Sequence, residues 1–184
     1  MRTCIFLDSP HITLILLTHC RRGFMTLKVG DTLPAATFTT MTADGPAPIT
    51  TQELCAGKRV ALFAVPGAFT PTCSAKHLPS FKKRAQDFSD QGFDNIACLA
   101  VNDVFVMDAW GKEQGVTSEM QMLADGNGAF TKAIGLELDA SGFGMGVRSQ
   151  RYAMVVNDGV VEALHVEEGG EFRVSSADFV LENL

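Results

Sequence analysis

The chain has 184 residues, 46% hydrophobic and 20% charged, which is enough to close one core without disulfides. A net charge of −6, with no basic run longer than Lys82-Lys83-Arg84, argues against nucleic acid or an anionic membrane as the main partner. Cys4, Cys20, Cys55, Cys73 and Cys98 form an odd, irregular set with no C-x-x-C pair, read as free thiols of a reducing compartment, the cytoplasm, and not as a disulfide framework or zinc knuckle.

Residues 1 to 24 differ from the rest. "ITLILL" (12 to 17) is too short to span a bilayer, and only Arg2 and a short apolar run speak for a signal peptide. Met25 opens "MTLKVGDTLP", which reads as a natural start. The expectation is a disordered or non-native extension over residues 1–24, with organellar targeting as the alternative, and a single domain over residues 25–184.

Pro34, Pro46 and Pro48, with Gly45, punctuate an irregular entry holding at most short strands near Thr37 to Thr40. "RVALFAV" (59 to 65) is an apolar run rich in β-formers, as a strand buried on both faces requires. After Thr72 the period changes: Ala75, Leu78, Phe81, Ala85 and Phe88 mark one amphipathic helix ending near Gln91-Gly92, with Pro79 kinking it. "NIACLAV" (95 to 101) is a second buried strand, and Asn102-Asp103 cap a helix to Gly115. "MQMLAD" (120 to 125) is a third strand, and "GAFTKAIG" (128 to 135) a short helix closed by glycine. "RYAMVV" and "VVEALHV" flank Asn157-Asp158-Gly159, a hairpin signal, and Ser176-Ala177-Asp178 cap a last helix. The order implies an α/β fold, a central mixed β-sheet flanked by helices.

"VPGAFTPTCS" (65 to 74) joins the end of the first buried strand to the following helix. Ligands of open α/β sheets bind at that end, and a helix N-terminus presents free N–H groups and positive partial charge. Thr70 or Thr72 is placed to cap, and Cys73 falls in the first turn, where a thiol is expected to exist substantially as thiolate, the form that attacks electrophiles. Pro66 and Pro71 stiffen the loop, Gly67 permits unusual backbone turns, and the Thr70 hydroxyl is able to hold a small oxygenated substrate. A lone buried cysteine in a turn is the bland alternative; the density of special residues tips the reading toward a nucleophile.

This stretch closely resembles the active-site signature of the peroxiredoxins, in the form of the type II branch that includes peroxiredoxin 5. "KVGDTLP", "ELCAGKRVALFAVPGAFTPTCSAKHLPSF", "CLAVNDVFVMDAWG" and "RYAMVVNDGVVEALHVE" resemble the same subfamily in the same order, over roughly residues 27 to 184. The resemblance implies a thioredoxin fold, a homodimer, and a thiol peroxidase without metal or other cofactor that reduces hydrogen peroxide and alkyl hydroperoxides. It makes Cys73 the peroxidatic cysteine that becomes a sulfenic acid, Thr70 the hydroxyl that orients the peroxide, and Pro66 the shield against water. Arg151 becomes the guanidinium on thiolate and peroxide, with Arg148 the nearby alternative. His77, four residues after Cys73 on the same helix face, is read as supporting loop hydrogen bonds and not as a metal ligand. Trp110 and Phe105 are core by composition, while the resemblance puts residues near them at the dimer surface.

The chain departs from the animal peroxiredoxin 5 pattern in having Ser175 where a resolving cysteine is found, and no cysteine beyond Cys98. Cys98 matches the strand cysteine of plant and bacterial type II members, yet a packed, inert thiol reads equally well there, since pairing with Cys73 requires local unfolding. Two cycles stay open: resolution by Cys98 with thioredoxin as donor, or a one-cysteine cycle drawing on glutathione and glutaredoxin. A thiol-disulfide oxidoreductase and a peroxide sensor or holdase are the rival functions; the missing C-x-x-C counts against the first, and turnover excludes the second. Cys55 has no assigned role.

Overall fold

The computed structural model describes residues 26–184. The readings for residues 1–24, with Cys4 and Cys20, lie outside the described residues. Apolar runs become strands of a seven-stranded mixed sheet, ordered β2-β1-β5-β4-β3-β8-β9, comprising β1 (Thr37–Thr42), β2 (Gly45–Thr50), β3 (Arg59–Val65), β4 (Asn95–Ala100), β5 (Gln121–Ala124), β8 (Tyr152–Asn157) and β9 (Val160–Val166). β3, β4 and β5 run parallel, while β8 is antiparallel to β3 and β9 to β8. Side chains of β3 alternate between two cores: Ala61, Phe63 and Val65 face one, Val60, Leu62 and Ala64 the other. This is why the run is apolar without interruption.

Helices cover both faces. α2 (Leu78–Lys83), α3 (Ala85–Asp90), α4 (Val104–Glu113) and α6 (Ala177–Glu182) close the first core, which also holds Cys73 and Cys98. α1 (Thr51–Cys55) and α5 (Ala129–Ala133) close the second, through Leu54 and Phe130. Each fully buried Leu, Phe or Met contributes about 1.5–3 kcal/mol, so two such layers replace any need for staples. Arg84 ties α3 to α6 by pairing with Asp87 and Asp178. The fold is the mixed-sheet thioredoxin-like architecture expected.

Two expectations are corrected and one element is added. The entry segment is a complete hairpin of β1 and β2, because β2 is an edge strand and tolerates Pro46 and Pro48, which donate nothing to the ladder. The single helix expected after Thr72 is three pieces: a π-helical turn at Cys73–His77, α2, and α3 after a break at Arg84 (φ −100°, ψ 10°). Leu78 N–H reaches back five residues to the Cys73 carbonyl, and Pro79 has no N–H to continue the ladder, so the turn stays wide where a kink was expected. A small ribbon, β6 (Glu137–Asp139) with β7 (Val147–Ser149), goes beyond the expected elements; all three residues of β6 face solvent, so it carries no alternating burial pattern. The hairpin signal holds, with Asp158 at φ 47° and Gly159 at φ 80°, both central residues left-handed as a primed turn demands.

Candidate active site

The register of β3 with β8 pairs Ala64 with Tyr152, which sets Arg151 beside the end of β3, where the chain leaves for the Pro66 loop. The carboxyl end of a buried strand therefore meets a cation and the first residue of the π-helical turn. Arg151 Nη1 lies 3.5 Å from Cys73 Sγ and 3.1 Å from His77 Nδ1. Both Cys73 and His77 are fully buried and Arg151 is 7% exposed, so the guanidinium acts in a low-dielectric setting. Its Nε is buried without a hydrogen-bond partner among the described residues. That is a donor held ready for an incoming oxygen.

The loop is shaped by close approaches. Thr70 Oγ1 donates to the Gly67 carbonyl at 2.9 Å, and Thr72 makes no side-chain cap, so neither threonine plays the capping role expected. Because the Thr70 hydrogen is committed to Gly67, its lone pairs are what remain to accept from a substrate O–H. Gly67 is needed for space and not for a left-handed backbone: a Cβ there would meet Thr70 Cγ2 at 3.2 Å and Met145 Cε at 3.3 Å. The left-handed residue is Phe69, at φ 61°, a conformation costing about 1–3 kcal/mol. Asn102 Oδ1 accepts from the Ala68 N–H at 3.0 Å and braces the strained turn. Pro66 is half-buried beside Gly67, and Pro71 is exposed.

Arg148 is spent elsewhere. Its Nε donates to the Met145 carbonyl at 2.8 Å and its Nη1 to the Val101 carbonyl at 2.9 Å, bracing the loops around the site without reaching the sulfur. Trp110 is fully buried and its indole N–H donates to Ser74 Oγ at 2.9 Å, pinning the π-helical turn, whereas Phe105 on the same helix is 65% exposed. The composition reading of both as core therefore holds for Trp110 alone.

His77 Nε2 sits 3.0 Å from the Ser175 carbonyl, and burial, helped by the Arg151 charge, pushes its pKa down to about 3. Ser175, Glu167 and Phe172 gather beside it, although the chain separates Ser175 from His77 by 98 residues. No local signal marks these residues; only the fold brings them together. Cys98 is fully buried in mid-strand on the same core face as Cys73, and burial, then the neighbouring Cys73, pushes its thiol well above the ordinary value. Cys55 lies on the opposite core, its thiol pushed up to about 11 by burial. Cys55, Cys73 and Cys98 are free thiols.

The Redoxin family matches residues 28–181. The chain is 50% identical over 163 residues to chloroplastic peroxiredoxin-2E of Arabidopsis thaliana, covering 86% of this chain and 69% of that protein. It is likewise 50% identical over 164 residues to chloroplastic peroxiredoxin-2E-2 of Oryza sativa subsp. japonica, covering 86% and 73%. The solved structure of reduced Prx3 in complex with hydrogen peroxide from Vibrio vulnificus superposes with a TM-score of 0.83 at 51% identity, covering 86% of this chain and 99% of that one. Both plant relatives are chloroplastic, which overturns the cytoplasmic placement: reduced cysteines mark a reducing compartment, and an organelle satisfies that equally. With a buried thiol at the head of a π-helical turn, a guanidinium upon it and this kinship over most of its length, the chain belongs to the Redoxin family, as a type II peroxiredoxin, and is a thiol-dependent peroxidase.

Proposed function

We propose that Cys73 is the peroxidatic cysteine and that Thr70, Pro66 and Arg151 complete its site. The Cys73 thiolate attacks the nearer oxygen of the hydroperoxide: an S–O bond forms, the O–O bond breaks, and the departing oxygen takes up a proton as water or an alcohol. The sulfur is left as a sulfenic acid, two electrons poorer. Thr70 Oγ1, its own hydrogen held by Gly67, accepts from the substrate O–H and aligns the O–O bond. Arg151 holds the sulfur with Nη1 and offers Nε to the oxygen on which charge develops; this pairing of a contact at 3.5 Å with a free buried donor carries the reading. Pro66 limits water at the mouth.

Regeneration draws on an external thiol. Cys98 lies between two hydrogen-bonded neighbours in the middle of the sheet, and its raised thiol is a poor nucleophile while the site stays folded. This favours glutathione with glutaredoxin attacking the sulfenic acid directly. A Cys73–Cys98 disulfide reduced by thioredoxin is the second reading, supported by the shared core face of the two thiols, and it requires the π-helical turn to open. A second copy of the chain is proposed as partner, since Phe69, Phe105 and Phe143 are exposed large apolar side chains that a homodimer would cover. An organellar location is inferred from the plant relatives.

Peroxide consumption followed with each reductant tests this. Sustained turnover with glutathione and glutaredoxin, abolished in Cys73→Ser, is expected. A single stoichiometric reaction that stops despite reductant would instead indicate a sensor, and disulfide exchange without peroxide loss an oxidoreductase.

A further inference from the structure

His77 takes no part in the bond changes above, yet it touches the residue that does. The Ser175 carbonyl can only accept, so the ring nitrogen 3.0 Å from it, Nε2, carries the hydrogen. Nδ1 is thereby left with a lone pair, and at 3.1 Å it accepts from Arg151 Nη1, which can only donate. Two partners thus fix one tautomer of one neutral ring. The ring is clamped between Phe63 and Phe172, with centroids 4.8 Å and 5.2 Å away.

The carbonyl that fixes the tautomer is itself anchored. Glu167 Oε1 accepts from Arg173 N–H at 2.6 Å, Ser175 N–H at 2.8 Å and Ser175 Oγ at 2.7 Å, closing the segment between them into a strap. The backbone N–H of Glu167 donates to the Arg151 carbonyl at 2.9 Å. Arg151 is therefore gripped twice by one connected set: at its backbone by Glu167, and at its guanidinium by His77, which Glu167 holds through Ser175.

We propose that Glu167 and His77 are positioning residues, a relay from the strap through Ser175 that aims the Arg151 guanidinium at Cys73 Sγ while leaving Nε for substrate. The inference rests on the assignment of Cys73 and Arg151 made above. It differs from a packing role for His77 in one respect: it depends on which nitrogen is replaced. Asn places its amide oxygen where Nδ1 lies and keeps the acceptor for Arg151, whereas Gln places its amide where Nε2 lies and keeps only the Ser175 contact.

The test uses His77→Gln and His77→Asn in the full chain. Three quantities are read: the second-order rate with hydrogen peroxide from the fluorescence of Trp110, the pH midpoint of Cys73 alkylation by iodoacetamide, and the melting temperature. His77→Gln is expected to slow peroxide reaction about tenfold and move the alkylation midpoint to higher pH, and His77→Asn to recover most of both. Equal losses in the two variants that follow melting temperature, or an unmoved midpoint, would overturn the relay in favour of packing. If His77→Gln does not fold, Glu167 carries the test: Glu167→Ala lowers rate and raises the midpoint, and Glu167→Gln, which keeps an acceptor oxygen, restores them; no difference between these two overturns the proposal. Arg151→Gln is the control. If it changes neither rate nor midpoint, the site assignment has failed; if it changes both and His77→Gln changes neither, only the relay has.

Discussion

Cys73 and Cys98 are equally inaccessible, share one core face and differ in almost every other respect. Cys73 opens a π-helical turn at the rim of the sheet, with a guanidinium at 3.5 Å and a hydroxyl-bearing loop beside it. Cys98 is paired on both sides by strands and surrounded by apolar side chains, so burial acts on its thiol unopposed. Exposure does not separate the two thiols; the fixed donors beside Cys73 do, and on the proposal above they make it the thiol that reacts.

The comparison breaks most sharply at its first member. Cys73→Ser removes the nucleophile, and peroxide consumption in a coupled assay is expected to fall to the uncatalysed level; retained turnover would move the chemistry to another thiol. Arg151→Gln should next reduce the second-order rate by about 10²-fold, the usual loss of one preorganised donor, and shift Cys73 alkylation to higher pH in a stopped-flow titration.

A pH series sharpens the picture of the buried ring. His77 binds no proton in the folded protein until about pH 3, whereas in the unfolded chain it titrates near 6.5. The unfolded state then holds more protons between these values, so stability falls as pH drops from about 6.5 toward 3, by up to about 1.4 kcal/mol per pH unit for one proton. His165, also lowered by burial, adds in the same direction. Urea unfolding from pH 7 to 4 should show this slope, and His77→Asn should remove the larger part of it. Trp110→Phe, which strips the donor from Ser74, is expected to cost about 1–2 kcal/mol and to loosen the π-helical turn, visible as faster amide exchange there. Smallest is Cys98→Ser: the first oxidation of Cys73 should keep its rate, and only the fate of the sulfenic acid should change.

Much of this was legible in the chain because it is local. The run at 59 to 65 is apolar throughout since both sheet faces are covered, and the loop from Pro66 to Cys73 announces itself by composition. The expected continuous helix fails at its start because the π-helical turn shifts the phase: Ala75, counted on the apolar face, is exposed while Cys73 and His77 are buried, whereas the break at Arg84 leaves Phe81, Ala85 and Phe88 in step and does not register in the periodicity. Pro46 and Pro48 argued against a strand only until β2 proved to be an edge. The backbone freedom that a glycine at position 67 suggests is used instead by Phe69. The sequence supports no more than a supporting role for His77, because its partner Ser175, and Glu167 which holds Ser175, arrive from the far end of the chain, beyond any local pattern.

The most direct measurement is the site of first oxidation. Reduced protein is given one equivalent of hydrogen peroxide, trapped within a second by a sulfenic-acid-specific dione, digested and mapped by mass. Label on Cys73, with Cys55 and Cys98 unmodified, is the predicted result; label on Cys98 or Cys55 while Cys73 remains a free thiol would contradict it.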